Sequence, residues 1–495
     1  MKRIYFLAVC LITAGGVKAQ YMADAYRMSN HQVQGTARSI AMGNAIGAVG
    51  GDFTSLSVNP AGIGLYRTNE FSFSTSFKFS KSDLSLTNAN FEEKDFKLHF
   101  NQLGFVGTSK STNLNSPVVS FNYGIGYNKL ADFNQSFFGS VNQSSVSFLD
   151  DIADYANFEG LPNAYLQQNF NQIDNYSDWP AKLAWDTYLI NPKEDENGQI
   201  IDKEYVSILY NDEKVDQLIS GERSGRINEY VFSGGLNINH RFYLGATLGV
   251  HDILYKQETN YTEFMTDDSF TYTDYRKLSG TGINFKLGAI VKPVQSIRLG
   301  LAWHSPTYYD MNEESVLAMR SYLLESYYSE GINLFDYDFR TPMKVVGSGA
   351  FLIEKIAMIS FDVEYMDYQA MRFKNGGGYD PMTLDNNQIK QTFGDAWNYR
   401  VGAEFRVAKS FSLLAGYENY GNPVKTTNTY GEELPSDNTS SIAFGLGYSF
   451  NNFYFDTALK HYESKATAYN LQPNFYETPL KEQNNTVTFT LGLRF

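Results

Sequence analysis

The residues able to do chemistry are few and far apart. The six histidines (His31, His99, His240, His251, His304 and His461) are scattered with no spacing that gathers metal ligands. No G-x-S-x-G, H-E-x-x-H or phosphate-loop sequence occurs. The expectation is therefore a protein that is not an enzyme, with no catalytic residue, metal or cofactor. His304 near Tyr308 offers a pairing able to touch a haem-like ligand, although a solvated interior histidine is the simpler account. Asp362 and Glu364 stand two apart, on one face of an extended chain. With Arg298, Arg400 and Arg406 at matching positions elsewhere, they read as an ionic network inside something hollow. A net charge of -14 argues against nucleic acid, whose phosphates need Lys and Arg.

The elements that must hold these groups are strands. Val487, Phe489, Leu491, Leu493 and Phe495 alternate with Thr488, Thr490, Gly492 and Arg494. The same period of two runs through Phe71, Phe73, Phe77 and Phe79, through Ile297 to Trp303, Ile359 to Tyr365, Trp397 to Phe405, and Ile442 to Phe450. The chain has 36 Tyr and 37 Phe, and its mean hydropathy is only -0.35. Half of each strand facing lipid, with rings at the membrane interfaces, accounts for both values. A soluble β-sandwich would gather its apolar faces into one core, whereas here apolar strands continue for hundreds of residues.

At the start, Lys2 and Arg3 precede an apolar run from Ile4 to Thr13, and Val17-Lys18-Ala19 forms a small-x-small site. Residues 1–19 thus read as a signal peptide. Cleavage there removes Cys10, the only cysteine, and with it any disulfide or thiol chemistry.

Short turns are expected near Asn113–Pro117, Asn239–Arg241, Lys292–Ser296, Glu354–Lys355, Ala408–Ser410 and Asn451–Asn452. Long loops are expected near 84–92, 132–225, 262–271, 313–335, 375–395, 423–437 and 469–481. Counting between them predicts an all-β, transmembrane antiparallel barrel of about fourteen strands over 68–495, short turns periplasmic and long loops outside. Within the 132–225 excursion, Ser147 to Asn157 and Ala181 to Ile190 read as amphipathic helices. Leu149, Ile152, Tyr155, Leu183, Trp185, Tyr188 and Leu189 are their apolar positions. These helices either cap the barrel mouth or form a ligand groove there. Val316 to Tyr328 reads as a further helix.

Residues 33–67 do not look like a membrane strand. Small residues dominate (Gly35, Ala37, Ala41, Gly43, Ala45, Gly47, Ala48, Gly50, Gly51), and Asp52, Ser55 and Asn59-Pro60-Ala61 supply caps and turns. Such a segment packs where space is short, which ahead of the first strand means the lumen. The string Gly35-Thr36-Ala37-Arg38-Ser39, Ala41-Met42-Gly43, Gly50-Gly51-Asp52, Ser55, Asn59-Pro60-Ala61-Gly62 resembles the opening of the FadL-type long-chain fatty acid transporters. Some members of that family are labelled haemin receptors. The resemblance implies an N-terminal plug, or hatch, over 20–67, with Gly43, Gly50, Gly51, Asp52, Asn59, Pro60 and Ala61 as gating positions. It implies passive passage of fatty acids or aromatic compounds from an outer groove to a lateral gap in the wall. Gly124 and Gly126 in the third strand, Val119 to Tyr127, are the candidates for that gap, unless they only clear room for the plug. Expected partners are a hydrophobic ligand, outer-membrane lipid and lipopolysaccharide, and the barrel-assembly machinery through Phe495. Some relatives instead appear to hold secreted proteins at the surface, a docking role that 132–225 would suit. The chain departs from the family in its length and in outer loops rich in Asn, Asp and Tyr.

Overall fold

The computed structural model describes residues 22–86, 89–113, 115–173, 175–210, 213–322, 327–354, 356–375, 382–425, 439–468 and 478–495. The expected signal peptide lies outside them, as do most of the 423–437 and 469–481 loops.

Alternation of outward rings with inward Ser, Asn and Thr leaves each strand one wet and one apolar face, which closes into a ring. Fourteen antiparallel strands complete it, four of them interrupted. The first strand (Glu70–Leu86) pairs with the second (Ala89–Lys110) and with the last (Thr478–Arg494), from Glu70↔Arg494 to Leu84↔Leu480. The third runs as Val118–Asp132 and Gln135–Ser144. The fourth to sixth are Val215–Ile238, Phe242–Phe264 and Ser269–Val294. The seventh is split into Ile297–His304 and Tyr308–Ser321, the eighth into Tyr327–Arg340 and Lys344–Ile353, and the ninth into Ala357–Asp367 and Arg372–Asn375. The tenth to thirteenth are Asp395–Ala408, Phe411–Tyr420, Thr439–Phe450 and Phe453–Ala468. The backbone amide of Phe495 donates to the Asn69 carbonyl and its carbonyl accepts from the Asn69 amide, at 3.1 and 3.0 Å, fastening the final residue to the start of the first strand.

The expected short turns hold among the described residues, with Leu114 and Lys355 outside them. Asn239, His240, Glu354 and Asn451 adopt the left-handed backbone that such tight connections need. The expected loops at 84–92, 262–271 and 313–335 are instead largely strand. The fourth to sixth strands run 24, 23 and 26 residues, far beyond the roughly 9–11 that cross a bilayer. In their outer halves the outward face turns polar, so the apolar-out alternation that marks a membrane strand disappears while the ladder continues. The expected helix at Val316–Tyr328 is also strand: Tyr308–Ser321 pairs on both edges, and Leu317 and Met319 are buried beneath the outer helices. The 132–225 excursion is narrower than expected, because Gln135–Val141 pairs with Ile219↔Gly139 and its neighbours on the fourth strand.

Candidate functional site

The small residues of 35–65 let this segment turn in a confined space. Thr36 caps the helix Ala37–Ala41 by accepting from the Ser39 amide, and donates to Asp52 Oδ2 at 2.7 Å. Asp52 Oδ1 accepts from the Thr54 amide at 2.9 Å, so one carboxylate ties both halves together. Asn59 Oδ1 accepts from the Ala61 amide while its Nδ2 donates to the Gly47 carbonyl at 2.7 Å, and Pro60 opens the 3-10 turn Pro60–Leu65. Gly43, Gly50 and Gly51 all have positive φ. A Cβ on Gly43 would lie 2.8 Å from the Tyr417 amide nitrogen, so this turn touches the wall directly.

Inward charges grip the segment. Arg38 meets Glu404 at 2.8 Å, Asn44 donates to Glu418 at 2.9 Å, Ser57 to Glu229 at 2.5 Å, and the Gly47 amide to Asp362 at 3.0 Å. Glu364 is paired with Arg400 at 2.8 Å. The ionic network expected around Asp362, Glu364 and Arg400 is therefore present, and it holds the segment. Arg298 donates to the Val49 carbonyl at 2.5 Å. Arg406 lies apart, exposed at the short-turn mouth. His304 Nε2 lies 2.9 Å from the Val58 carbonyl and is buried, while Tyr308 points outward. That placement removes the basis for a haem site at His304.

The wall at Gly124 and Gly126 is intact. Both sit inside the ladder joining the second and third strands, Gln102↔Asn128 to Lys110↔Ser120. Leu56 and Ile63 pack over Gly124, and Phe53 over Gly126. These glycines make room for the segment. Among the described residues the ladder stops at Gln102/Asn128. Beyond it the third strand breaks at Phe133–Asn134, opposite Gly225, whose φ of +133° only glycine adopts readily. The freed edge is met from inside: the Gln34 amide donates to the Lys129 carbonyl at 2.8 Å. Lys78 bonds Asp132 at 3.0 Å, and His99 Nδ1 lies 3.1 Å from Lys129 Nζ across the opening. Further out Phe91 packs on Phe138, ring centroids 5.7 Å apart. A cavity of about 210 Å³ lies between residues 30–34 and Leu130–Phe133.

The excursion forms a cap. Helix Phe148–Glu159 starts at Ser147, whose hydroxyl donates to Glu263 at 2.6 Å while the Phe148 amide donates to the same carboxylate at 2.8 Å. Helix Trp179–Asp186 packs beside it, and Asp178 accepts from the hydroxyls of Tyr155 and Tyr165 at 2.7 and 2.8 Å. Leu149, Ile152, Leu183 and Leu189 are buried in one core with Tyr261, Phe270, Leu317 and Met319 of the strands. Tyr155 and Trp185 are half-buried at its margin, and Tyr188, 55% exposed, sits outside against Tyr327. Most of these residues thus pack into the core beneath the cap.

Sequence reasoning missed a second apolar core, inside the lumen. Helix 22–29 inserts Met22, Ala25, Tyr26 and Met28 among Tyr255, Tyr309, Met311, Phe339, Met366, Tyr368, Phe373 and Phe393. Tyr26 stacks on Phe393, centroids 6.0 Å apart, and Arg27 lies 4.0 Å over the Tyr255 ring. Asp24 pairs with Arg276, which also holds Glu313 at 2.6 Å. The signal was readable: inward positions of the seventh to ninth strands switch from polar (Ser348, Ser360, Asp362) to Met and rings (Met311, Phe339, Met366) along the barrel axis.

This geometry is shared with known barrels. The chain is similar to the crystal structure of a Pseudomonas aeruginosa FadL homologue at 9% identity and TM-score 0.50, covering 94% of this chain and 99% of that one. It is similar to the TodX deltaS2S3 mutant monoaromatic hydrocarbon channel at 11% identity and TM-score 0.51, with the same coverage. The Ralstonia pickettii toluene transporter TbuX aligns at 14% identity and TM-score 0.49, covering 93% and 99%. At these identities the likeness is one of fold, that of FadL-type barrels. No known family profile and no curated protein sequence matches the chain.

Two predictions follow from the contacts above. A Gly416→Leu side chain would overlap the backbone of Met42 and Gly43. It should unseat the segment, at a cost of about 1–3 kcal/mol, and speed trypsin cleavage at Arg38 while the barrel still shows its folded gel mobility. In the cap, burial followed by repulsion from Asp154 and Asp150 pushes the Asp151 carboxyl up to about 7. A raised carboxyl favours the folded cap when protonated. That contribution is full below about pH 4, the ordinary Asp value, and is lost as pH rises through 7. Asp151→Asn should therefore protect the cap at pH 8, on the order of 1 kcal/mol after solvent screening. Hydrogen exchange over Phe148–Glu159, compared with the parent at pH 6 and 8, reads the difference.

Proposed function

We propose that this protein is a passive channel for hydrophobic small molecules, fatty acids or aromatic compounds, in a bacterial outer membrane. The observation that carries the reading is the Met- and aromatic-lined core inside an otherwise polar lumen, closed around helix 22–29 and reaching Leu130 and Ala131 beside the interrupted second-to-third-strand ladder. An apolar solute gains roughly 0.8 kcal/mol per methylene where that helix yields to it, and nothing in a water-filled pore. The unpaired edge offers a sideways exit into the membrane that spares the solute the charged floor. Residues 20–67 act as the hatch. Gly43, Gly50 and Gly51 supply the turns, and Asp52 with Asn59-Pro60-Ala61 the ties that release together. Outward rings support contact with membrane lipid and lipopolysaccharide, and Phe495, exposed at the seam, is the proposed handle for the assembly machinery.

A second reading, an outer docking platform for secreted proteins, draws on Phe158, Ile200 and Val206, apolar residues exposed on the cap. Deleting 145–212 separates the two: loss of a protein partner with uptake intact favours the platform.

The hatch reading has a direct test. Gln34 and Lys129 are bridge partners, and the chain loses its one cysteine with the expected leader. A Gln34→Cys, Lys129→Cys pair should cross-link, abolish uptake of a radiolabelled hydrophobic substrate when oxidised, and recover it on reduction. Unchanged uptake by the oxidised, folded barrel would refute the hatch.

A further inference from the structure

The short-turn mouth of the lumen, periplasmic in the orientation proposed above, contains a cavity of about 560 Å³ beneath Gly50–Gly51. Six cations and three carboxylates (Glu354, Glu404, Asp456) line it. Arg38 is committed to Glu404, and Arg494 to Glu70 at 2.9 Å. The other four, Arg67, Arg298, Arg406 and Lys409, form no ion pair among the described residues. Arg298 donates one guanidinium N–H to the Val49 carbonyl, and its Nε is buried without an acceptor. A protein of net charge -14 thus concentrates unpaired positive charge in one recess. One wall of that recess is apolar, made by Val49, Leu65, Leu352, Ile356 and Met358.

Uncompensated like charges repel, and a guanidinium N–H withdrawn from water without an acceptor costs stability. An anion relieves both. The volume falls in the range of about 300–1,000 Å³ typical of small-molecule sites, larger than a bare inorganic ion needs. Planar guanidinium groups suit a carboxylate, which they engage with two parallel hydrogen bonds. The apolar wall suits a hydrocarbon part beside it.

We propose that this recess is a binding site for a small amphipathic carboxylate, its anionic head among Arg298, Arg406 and Lys409 and its apolar part against Leu65, Leu352 and Met358. The site rests on its own geometry and stands whether or not solutes cross the barrel.

The test is calorimetric titration of the full detergent-extracted barrel with benzoate, benzyl alcohol and inorganic phosphate. Benzoate should bind saturably, more weakly as salt rises, and neither other probe should match it. Arg298→Gln should weaken benzoate at least tenfold. Arg406→Gln and Lys409→Gln, on exposed side chains at the rim, should each weaken it several-fold with folded gel mobility retained, which keeps the test valid if Arg298→Gln fails to assemble. Lys193→Gln, in the outer cap, should change nothing. Equal binding of benzyl alcohol, equal binding of phosphate, no benzoate binding, or indifference to the rim substitutions would each overturn the proposal.

Discussion

Every backbone N–H and C=O that meets lipid must find a partner within the protein, because the bilayer offers none. That requirement dictates a closed ring and fixes the seam between first and last strands. It also sets the alternation of outward rings with inward hydroxyls and amides. The place where the ladder is unfinished therefore stands out. Beyond Gln102/Asn128 the third strand has no second-strand partner among the described residues, and the chain brings Gln34 from the lumen to meet it at Lys129. A membrane wall tolerates such a break only where other backbone or protein bulk covers it, which ties the N-terminal segment and the opening into one structure.

A second constraint is width. Eight strands leave an interior that side chains alone can fill, and fourteen do not. Here the filling is supplied twice: by the 33–67 segment in the polar floor, and by helix 22–29 in the apolar chamber above it. The wall adapts by dispensing with side chains where the segment touches. Gly402 and Gly416 accommodate Met42, Gly245 accommodates Pro60, and Gly104 and Gly126 accommodate Phe53. Contact this close makes the fit exacting, while the polar ties of Asn44 to Glu418 and Arg38 to Glu404 fix its register.

The membrane-crossing halves of the strands were legible because lipid imposes a strict period on them, as Val487 to Phe495 illustrates. Their outer halves were not, because in Thr259–Thr262 and Thr271–Thr273 only Tyr261 and Tyr272 enter the core under the cap, and too few apolar residues remain to set a period. Val316–Tyr328 misled for the opposite reason. Apolar Val316 and Ala318 alternate with the buried Leu317 and Met319, so the period of two is blurred and the run imitated a helix. The small-residue segment announced its packing through composition alone. Gly124 and Gly126 signalled tight packing, but only the register shows that they lie under Phe53 and Leu56 and that the bend-permitting glycine is Gly225 on the next strand. The Met-lined chamber was hidden by distance, its parts spread from Met22 to Phe393 and assembled only by closure.

Thr490 sits where these constraints meet. On the last strand, its hydroxyl accepts from the Ala37 amide at 2.7 Å and lies 2.7 Å from the Ser74 hydroxyl of the first strand. One side chain thus touches the beginning of the molecule, the first wall element and the final one. The helix Ala37–Ala41 also rests against the strands Phe411–Tyr420, Thr439–Phe450 and Phe453–Ala468, all late in the chain. Closure of the cylinder therefore completes the seat of the helix Ala37–Ala41 as well as the wall.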